Sequence, residues 1–383
     1  MRIGITCLPT AGGSGILATE LGLALAERGH TIHFVTLEPL FRLRSYRRNV
    51  FSHTVNATAY PQFKYPPYTL ALATKILEVA EEQQIELWHA HYAIPHATSA
   101  LLARDMMPEA KRFKLVTTLH GTDITLVGLD PSFYRMTKYA MEHSEAVTAV
   151  SNWLAEETHR EFDLAVPVRT IYNFLDVEKY STEPVDRCQL AQNGEKIVMH
   201  ISNFRPVKRV TDVVRAFKKI LDRVPARLVM IGDGPERMLA VGVARQLGIS
   251  DQITYLGTHE SIATIIPCAD LVFQPSEHES FGLVPLEAMA CEVPVLGTAS
   301  GGITEVVEHG VTGYLTEVGD TDAMARYAIE ILTNPEHARE MGRRGRERAL
   351  QLFSKDAIVS QYEDLYREVL GAPEAVPATS GLG

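Results

Sequence analysis

The sequence predicts an α/β protein of two domains, each a parallel sheet wrapped by helices. Short apolar segments with strand character alternate with segments whose apolar residues recur at helical spacing. This alternation stops once and then starts again, and a chain of 383 residues is long enough for two domains of ordinary size. In such sheets we expect ligands to bind at the carboxyl ends of the strands.

The first series starts with a strand in MRIGITCL, a glycine-rich turn in AGGSG and a helix that ends at Gly29. A glycine directly after the last apolar position is a frequent helix terminator. Further strands are predicted, in chain order, in TIHFVTL, IELWHAH, KLVTTL and EAVTAVS. The last of these leads into the helix NWLAEETHREF, so strands and helices alternate as they do in βαβ units.

The second series follows a break in this periodicity. Between Asn173 and Glu195 the sequence is polar, poorly periodic and contains Pro184, and we place the interdomain linker there. Strands are then predicted in KIVMHIS, ARLVMIG, ITYLG, ADLVFQPS and PVLGT. Helices are predicted in TDVVRAFKKILDRV, in PERMLAVGVARQLG, after Phe281 and in DAMARYAIEILTN.

These boundaries divide the chain into predicted domains. Residues 1–173 form an N-terminal domain and residues 174–355 a C-terminal domain. The segment from Glu336 to Leu370 is rich in Arg and Glu, and we expect its last helix, about 356–371, to pack back on the N-terminal domain. Residues 372–383 are expected to form a flexible tail.

Composition and charge exclude several classes of protein. The net charge of −10 argues against a nucleic-acid binder, although local positive charge can still hold a small anion. The four scattered cysteines form no CxxC pair and no cysteine–histidine cluster, which favours a reduced, cytoplasmic protein without disulfides or a zinc site. Glycines and Glu20 interrupt the apolar N-terminal stretch, so it does not fit a signal peptide. No apolar run of about 18 residues predicts a transmembrane helix.

Two loops at predicted strand ends suit an anionic group. AGGSG, with Gly13 and Ser14, places glycines before a helix N-terminus, where backbone N–H groups can approach a phosphate. It does not match the dinucleotide pattern GxGxxG, and a tight structural turn is the alternative. SNFRPVKRV brings Arg205, Lys208 and Arg209 together after the first strand of the second domain. They can neutralise a diphosphate there, and a solvated basic loop is the alternative.

Three further segments carry residues that can bind a polar ligand. IGDGP, with Gly232, is another glycine turn at a strand end and is a weak signal alone. HGTD ends a strand, so His120 can exchange a proton or hydrogen-bond a sugar hydroxyl, and a buried structural histidine is the equal alternative. HAHYAIPHA places Tyr92 and three histidines near another strand end. Because it lacks HxxxH spacing with a carboxylate partner, no metal site is expected.

The segment EHESFGLVPLEAMA holds two acids, Glu279 and Glu287, on either side of an apolar stretch. A loop that enters a helix explains this arrangement. The first acid then contacts a ligand from the loop, and the second sits in the first helical turn, near the positive end of the helix dipole.

Together these motifs resemble glycosyltransferase family 4, whose retaining enzymes have the GT-B fold of two Rossmann-like domains facing each other across a cleft. The resemblance covers nearly the whole chain and rests on the paired glutamates around SFGLVPLEAMA, followed by PVLGT and GGITEVVEHGVTGYL. The segments ITCLPTAGGSGILATELG, PLFRL, FKYPPYTLALA, HAHYAIPHA and TLHGTDITLVG are similar to those of a particular subgroup. Its members move N-acetylglucosamine from UDP to L-malate at the start of bacillithiol synthesis.

The resemblance implies roles for the residues of the second domain. Glu287 should hold the two ribose hydroxyls of UDP, and Glu279 should contact the donor sugar. Backbone N–H groups around Phe281, Gly282 and Leu283 should help to bind the diphosphate or the sugar.

The remaining donor-side roles follow from the same resemblance. Lys208, with Arg205 or Arg209, should stabilise the leaving diphosphate, and His120 should lie beside the sugar. The donor-binding set is completed by Gly13, Ser14 and Gly232. Many relatives carry an arginine five residues before the lysine, and Asn203 occupies that position here. Either Arg205 takes over the missing charge or Asn203 faces the acceptor.

The acceptor and the reaction are also implied by the resemblance. Malate brings two carboxylates, so hydrogen-bond donors and positive charge are expected at Tyr92, Thr118, Asn203 and Lys64. Transfer should retain the anomeric configuration through front-face attack, with no cofactor or metal, because cations and helix N-termini can stabilise the departing diphosphate. The expected partners are two small molecules, UDP-N-acetylglucosamine and L-malate, and the sequence leaves a homodimer open.

Three alternatives stay open on the sequence alone. A family 4 enzyme with a lipid or polysaccharide acceptor is favoured only by FRLRSYRR, residues 41–48, whose arginines and aromatics suit an anionic membrane surface as well as a solvated loop. A non-hydrolysing UDP-N-acetylglucosamine epimerase would share the GT-B architecture. A non-catalytic nucleotide-binding module would need the donor motifs but no turnover.

Overall fold

The computed structural model describes residues 1–8, 13–40, 43, 46–57, 66–183, 190–191, 194–259 and 262–371. The chain divides into two compact units. The first contains Met1–Tyr172 together with the chain from Asp356 onward, and the second is Asn173–Lys355. Lys64, Pro184, half of the arginine-rich segment 41–48 and the predicted tail lie outside the described residues.

The first unit is built on a seven-stranded sheet in which all neighbouring strands are parallel. Its strands are β1 Arg2–Thr6, β2 Thr31–Thr36, β3 Val50–Thr54, β4 Leu87–His91, β5 Lys114–Leu119, β6 Ala146–Ala149 and β7 Val168–Thr170. They lie in the order β3-β2-β1-β4-β5-β6-β7, so the direction of strand order reverses between β1 and β4. Its helices include α1 Gly13–Glu27, α2 Tyr68–Gln83, α3 Thr98–Met106, α4 Thr122–Thr125, α5 Tyr134–Glu142 and α6 Asn152–Phe162.

The central strands of this sheet are buried on both faces, which is why they are apolar without strict alternation. Trp88 of β4 is fully buried, and its indole Nε1 donates to Thr6 Oγ1 at 3.2 Å. The ring lies against Gly4 of β1, where an added Cβ would come within 2.3 Å of it. A glycine at this position therefore allows the largest side chain of the core to lie across the adjacent strand.

The second unit repeats the same topology with six parallel strands. These are β8 Lys196–Ile201, β9 Ala226–Ile231, β10 Ile253–Gly257, β11 Leu271–Gln274, β12 Val295–Thr298 and β13 Gly313–Thr316. The order β10-β9-β8-β11-β12-β13 reverses between β8 and β11. Its helices include α7 Val210–Leu221, α8 Arg237–Gln246, α9 Leu283–Ala290, α10 Ile303–Val306, α11 Thr321–Thr333 and α12 Pro335–Leu352.

The last helix, α13 Lys355–Val369, contacts the sheet and α1 side of the first unit. Glu363 lies 2.6 Å from Arg28 and 2.7 Å from His30, and both pairs are largely shielded from water. One turn further on, the Tyr366 hydroxyl lies 2.7 Å from His89 Nδ1 in the core. The C-terminal segment is thus tied to the first unit by an ion pair and a buried hydrogen bond.

The prediction of two parallel-sheet, Rossmann-like domains is confirmed. Several elements were not predicted from the sequence: the helices α2, α3 and α5 and the short strands β3, β7 and β13. In doubly wound sheets, ligands bind beyond the carboxyl ends of the strands at the point where the strand order reverses. This rule selects the loops after β1 and β4 in the first unit and those after β8 and β11 in the second.

Candidate functional site

The loop after β8 is held by buried anchors that turn its polar side chains outward. His200 Nδ1 donates to the Phe273 carbonyl at 2.9 Å, and its Nε2 lies 2.8 Å from Ser202 Oγ. Phe204 is fully buried although its φ is +40°, a value that non-glycine residues rarely adopt. Because Phe204 points inward, its neighbours Asn203 and Arg205 are exposed.

Lys208 and Glu279 form an ion pair where the loops after β8 and β11 meet. Lys208 Nζ lies 2.6 Å from Glu279 Oε2, and each side chain is only 17% exposed. Ser276 Oγ donates to the same carboxylate oxygen at 3.2 Å. The sequence predicts both residues in the site but does not predict that they contact each other. The partly buried geometry makes the hydrogen bond charge-assisted and therefore strong.

The backbone of Glu279 is fixed by the loop after β12. The Gly302 N–H donates to the Glu279 carbonyl at 2.7 Å. Gly301 has φ +82°, and a Cβ there would lie 2.3 Å from the same carbonyl oxygen. The two consecutive glycines of GGITEVV are thus explained by the close approach of this loop to Glu279.

The three cations of the predicted cluster have different surroundings. Arg209 directly precedes α7 and pairs with Asp212 of that helix, with Nε 2.6 Å from Asp212 Oδ2. Its Nη1 lies 4.0 Å from Glu277 Oε2. Lys208 is paired with Glu279. Arg205 is exposed, and no described residue pairs with its guanidinium. Within the described loop, Arg205 is therefore the cation most available to an incoming anion.

Glu287 does not lie in the first helical turn, and that part of the prediction is wrong. Helix α9 begins at Leu283 after Gly282, which has φ +108°, so Glu287 is in the second turn. The sequence contains a signal for this start, because Pro285 is tolerated only within the first turn of a helix. The dipole argument for Glu287 is correspondingly weaker, since that effect falls off beyond the first turn.

The Glu287 carboxylate is oriented by a residue from the predicted linker. The Tyr180 hydroxyl donates to Glu287 Oε1 at 2.9 Å. Tyr180 is buried, and its own carbonyl accepts from Arg346 Nη1 at 3.1 Å. The segment around Tyr180 was predicted as a linker, yet it places a hydrogen-bond donor on a candidate site residue.

Two further predicted donor residues have structural reasons for their identity. The Phe281 ring is 2% exposed and packs edge-on against Phe353 at 5.4 Å, so only its backbone is available to a ligand. Gly232 has φ +112°, and a Cβ there would lie 1.8 Å from the Ser202 carbonyl oxygen. Glycine is required at Gly232 for two loops to approach, whether or not a ligand binds.

In the first unit, Tyr92 connects the loops after β1 and β4. Its φ is +86°, which is strained for an aromatic residue, and its N–H donates to the Thr118 carbonyl at 2.9 Å. The Tyr92 hydroxyl donates to Ser14 Oγ at 2.8 Å. Ser14 is the second residue of α1, and Gly13 before it is exposed. Strain of this kind is most often retained at functional positions.

His120 lies beside Tyr92 and forms a hydrogen bond with His91. Its Nε2 is 2.9 Å from His91 Nδ1, and its ring centroid is 5.1 Å from that of Tyr92. Burial, reinforced by the nearby His96, lowers the pKa of His120 to about 3. His120 is therefore neutral at physiological pH and can act through hydrogen bonds but not as a cation.

The backbone at His120 is organised by a buried carboxylate. Asp123 Oδ1 accepts from the N–H groups of His120 and Gly121 at 3.1 and 3.0 Å, and Oδ2 accepts from Ala93 at 3.1 Å. Burial raises the pKa of Asp123 to about 6, although these backbone hydrogen bonds oppose the shift. The same carboxylate thus joins the loops after β4 and β5.

Two predicted acceptor residues, Thr118 and Lys64, are not placed at the candidate site by the described structure. The Thr118 side chain is fully buried, and its hydroxyl lies 2.6 Å from both His89 Nε2 and Thr148 Oγ1. In this arrangement it supports the histidines from within the core and does not face a substrate. Lys64 lies outside the described residues.

Sequence reasoning missed Tyr180, Ser276 and Asp123. Ser276 and Asp123 could have been found by the rule that selected their neighbours, because each follows the carboxyl end of a strand within a few residues. Tyr180 carries no such signal, since it lies in a segment without periodicity.

Comparisons with known proteins identify the family. One family model, Glycosyltransferase Family 4, matches residues 11–179, and another, Glycosyl transferases group 1, matches residues 183–348. The N-acetyl-alpha-D-glucosaminyl L-malate synthase of Bacillus anthracis is 49% identical over 375 residues, which cover 97% of each chain. The chain belongs to glycosyltransferase family 4. It is therefore a glycosyltransferase, as the resemblance in its motifs predicts.

Solved structures show the same fold as this family 4 enzyme. The sucrose-phosphate synthase of Thermosynechococcus elongatus matches with a TM-score of 0.80 and 24% identity, covering 97% of this chain and 100% of that one. The Anabaena protein HepE, solved in complex with UDP and glucose, matches with a TM-score of 0.79 and 21% identity, covering 96% and 100%. At these identities the likeness shows the fold alone.

The described residues also bear on two other kinds of site. No helix there is long and apolar enough to cross a membrane. In the same residues, no group of three or more His, Cys, Asp or Glu side chains is arranged to hold a metal ion.

Proposed function

We propose that this family 4 enzyme transfers N-acetylglucosamine from UDP-N-acetylglucosamine to L-malate, giving N-acetylglucosaminyl-malate and UDP, the first step of bacillithiol biosynthesis. The observation that carries the proposal is the 49% identity to the Bacillus anthracis synthase across 97% of both chains. The name of that relative specifies an alpha-linked glucosaminyl group. Because the sugar in UDP-N-acetylglucosamine is also alpha-linked, the proposed transfer retains the anomeric configuration.

The second unit supplies the donor contacts in this proposal. Glu287 accepts the ribose hydroxyls of UDP, and the Tyr180 hydroxyl at 2.9 Å holds its carboxylate in place. Backbone N–H groups at the start of α9, around Gly282 and Leu283, bind the diphosphate, since the first N–H groups of a helix have no partner within it.

Positive charge near the diphosphate lowers the barrier to its departure. When the bond from the sugar to UDP breaks, negative charge builds up on the leaving phosphate. Lys208, placed by its 2.6 Å contact with Glu279, and the exposed Arg205 are the cations that meet this charge. Fixed charges aimed at a developing anion are worth more in the transition state than in the ground state. The same geometry leaves Glu279 beside Lys208 to contact hydroxyls of the donor sugar.

The transfer step follows from these placements. The malate hydroxyl attacks the anomeric carbon on the face from which UDP departs. The new C–O bond forms as the bond to the phosphate oxygen breaks, and the hydroxyl proton passes to that oxygen. In this scheme neither Glu279 nor His120 forms a covalent bond to the sugar.

Acceptor recognition is assigned to hydrogen-bond donors and positively charged side chains. Ser14 and Tyr92, joined at 2.8 Å, and the exposed Asn203 provide hydrogen bonds to the malate carboxylates. Arg205, or Lys64 outside the described residues, provides charge. Thr118 is withdrawn from this set because its hydroxyl is engaged in the core.

We place the reaction in the cytoplasm. Cys7, Cys268 and Cys291 are free buried thiols, as is usual for proteins of a reducing compartment. The second substrate, L-malate, is a small polar anion, and no membrane partner is needed for the proposed reaction.

The direct test is incubation of the full-length enzyme with UDP-N-acetylglucosamine and, in parallel, L-malate, D-malate, succinate, lactate and glycerol. UDP release and product mass are followed, and the anomeric proton coupling of the product is measured. We expect UDP release above background with L-malate and an alpha-linked product of the mass of N-acetylglucosaminyl-malate. Succinate, which lacks the hydroxyl, is the matched negative acceptor.

Three outcomes would redirect the proposal. Equal turnover with every hydroxy acid would remove L-malate as the specific acceptor. An epimerised sugar nucleotide formed without acceptor would make the protein an epimerase. Turnover only with phospholipid vesicles or lipid extracts would transfer the acceptor role to a lipid.

A further inference from the structure

Four histidines form one cluster at the carboxyl ends of β4 and β5. His89 and His91 belong to β4 and have ring centroids 4.3 Å apart. His91 stacks on His120 at 5.2 Å, and His96 follows on the next turn of chain. Except for the partly exposed His120, all are buried. The hydrogen bonds inside this cluster determine which ring nitrogens carry protons.

The position of one proton is settled by a carbonyl. His96 Nδ1 lies 2.5 Å from the His91 carbonyl oxygen, and a carbonyl can only accept. His96 therefore carries its proton on Nδ1, and its buried Nε2 is a bare lone pair. This bond also fixes the backbone from which the His91 ring projects.

The contact between His91 and His120 allows two proton arrangements. His91 Nδ1 and His120 Nε2 are 2.9 Å apart, so one of them donates and the other accepts. If His120 Nε2 donates, neutral His91 must carry its own proton on Nε2. If His91 Nδ1 donates, its Nε2 is bare and the proton of neutral His120 is on Nδ1.

The surroundings of His91 Nε2 decide between them. This nitrogen is buried, and no described residue offers it a hydrogen-bond partner. A buried N–H without an acceptor is among the rarest defects in proteins, and an under-used acceptor is more readily tolerated. The arrangement in which His91 Nε2 is bare is therefore favoured, and His91 Nδ1 donates to His120 Nε2.

We propose that His91 is a positioning residue that holds His120 with its proton on Nδ1, so that His120 offers substrate a hydrogen-bond donor and no basic nitrogen. His120 Nε2 is occupied by His91, and no described residue forms a hydrogen bond with Nδ1 of this partly exposed ring. The partner of the Nδ1 proton is a hydroxyl or other oxygen of the bound hexose. This identification of the partner rests on the proposed function.

The consequence for the reaction is specific. A neutral imidazole with a fixed Nδ1 proton recognises an oxygen lone pair, and it cannot remove a proton through that nitrogen. His120 then contributes to sugar binding and orientation, while the proton of the attacking hydroxyl goes to the leaving phosphate. The burial that lowers the pKa of His120 to about 3 also keeps the ring neutral throughout the physiological range.

The proton position is tested by NMR on the free, full-length enzyme with ¹⁵N-labelled histidine. Two-bond ¹H–¹⁵N correlations distinguish protonated from bare ring nitrogens, and His120→Asn assigns the His120 signals by their loss. We expect the His120 ring to carry a proton on Nδ1 and none on Nε2. A protonated Nε2 on His120 would overturn the proposal. This readout does not depend on which acceptor the enzyme uses, so it separates this proposal from the proposed function.

Kinetics test the role of His91. The amide nitrogen of an asparagine lies near the position of Nδ1, so His91→Asn should keep the bond to His120 and most of the activity. His91→Leu removes the bond, and we expect kcat/KM for the nucleotide sugar to fall about tenfold, the equivalent of one net hydrogen bond. His120→Asn, which keeps a donor near Nδ1, should be more active than His120→Gln, which does not.

A control removes a buried histidine elsewhere in the sheet. His33 of β2 is buried and contacts His53 at 3.1 Å, away from the cluster. His33→Leu should change the melting temperature but not kcat/KM. Equal kinetic losses in His91→Leu and His91→Asn, or an unchanged His120 proton position in His91→Leu, would reduce His91 to a packing role and overturn the proposal.

Discussion

The two units have the same strand order but different chemistry at the place where that order reverses. The edge of the first unit is made of neutral, buried histidines and hydroxyls, of which His91, His120 and Tyr92 are the centre. The edge of the second is made of ion pairs, of which Lys208 with Glu279 is the most shielded. A shared topology thus fixes where polar residues collect, and the local side chains determine whether that place recognises hydroxyls or stabilises charge.

Mild acid should lower the stability of the first unit more than that of the second, and we expect this to be the largest difference between them. Burial lowers the pKa of four first-unit histidines to about 3 or 4: His33, His89, His96 and His120. Burial, together with the neighbouring histidines, also lowers the pKa of His91 well below its usual value. In the second unit His200, with a pKa of about 4, is the corresponding group among the described residues.

The sign of the effect follows from these shifts. Below the unfolded histidine pKa of 6.5, the unfolded chain binds protons that the folded chain does not, so stability present above that pH is lost on acidification. Between pH 6.5 and 5 the loss is about 2 kcal/mol for each fully buried histidine. Asp123 acts in the opposite direction, because its folded pKa of about 6 exceeds the unfolded 3.8, and it offsets part of the loss below pH 6.

Tryptophan fluorescence measures this difference, because Trp88 and Trp153 both belong to the first unit. We expect the urea midpoint followed by fluorescence to fall between pH 6.5 and 5 by more than the midpoint followed by far-UV circular dichroism, which reports both units. Equal shifts for the two signals would show that the units do not differ in their response to acid.

Loss of Lys208 should have the next largest effect. Lys208→Ala removes the shielded cation proposed to face the leaving diphosphate, and kcat should fall roughly 10²–10³-fold, as when one preorganised group at a developing charge is lost. Lys218→Ala is the matched control, since Lys218 forms an exposed pair with Asp222 on α7. A change in KM without a change in kcat would assign Lys208 to ground-state binding.

Glu287 should affect binding more than turnover. Glu287→Gln removes the charge that accepts the ribose hydroxyls, and we expect Kd for UDP to rise about 10- to 150-fold, since hydrogen bonds to charged groups are worth about 1.5–3 kcal/mol. Tyr180→Phe removes only the 2.9 Å bond that orients the carboxylate, so the rise should be a few-fold. Calorimetric titration with UDP measures both variants. A larger effect from Tyr180→Phe than from Glu287→Gln would contradict the assignment.

The fold could be predicted because its signals are local. Runs such as KLVTTL and KIVMHIS are apolar enough to identify central strands, and their carboxyl ends point to the loops that carry His120 and Lys208. Exposed elements such as α2 and the edge strand β3 carry weaker patterns, and they were missed.

The arrangement within the candidate site was less predictable, because its contacts join distant parts of the chain. The pairing of Lys208 with Glu279 spans 71 positions, and that of Tyr180 with Glu287 spans 107. Thr118 was placed on the acceptor side because it ends a strand, but in a sheet covered on both faces a strand end does not reveal whether a hydroxyl faces solvent or core. Here it faces His89 and Thr148 in the core.

The smallest effect that still separates the two units is expected at Tyr92. Tyr92→Phe keeps the ring against His120 and removes only the hydroxyl that donates to Ser14 at 2.8 Å. Because a neutral hydrogen bond contributes about 1 kcal/mol, the apparent KM for malate should rise about fivefold while Kd for UDP stays unchanged. Tyr139→Phe, which alters an exposed tyrosine of the same unit, should change neither constant. If Tyr92→Phe weakened UDP binding and left the malate KM unchanged, the first-unit edge would not recognise the acceptor. The assignment of hydroxyl recognition to the first unit and of charge stabilisation to the second would then be wrong.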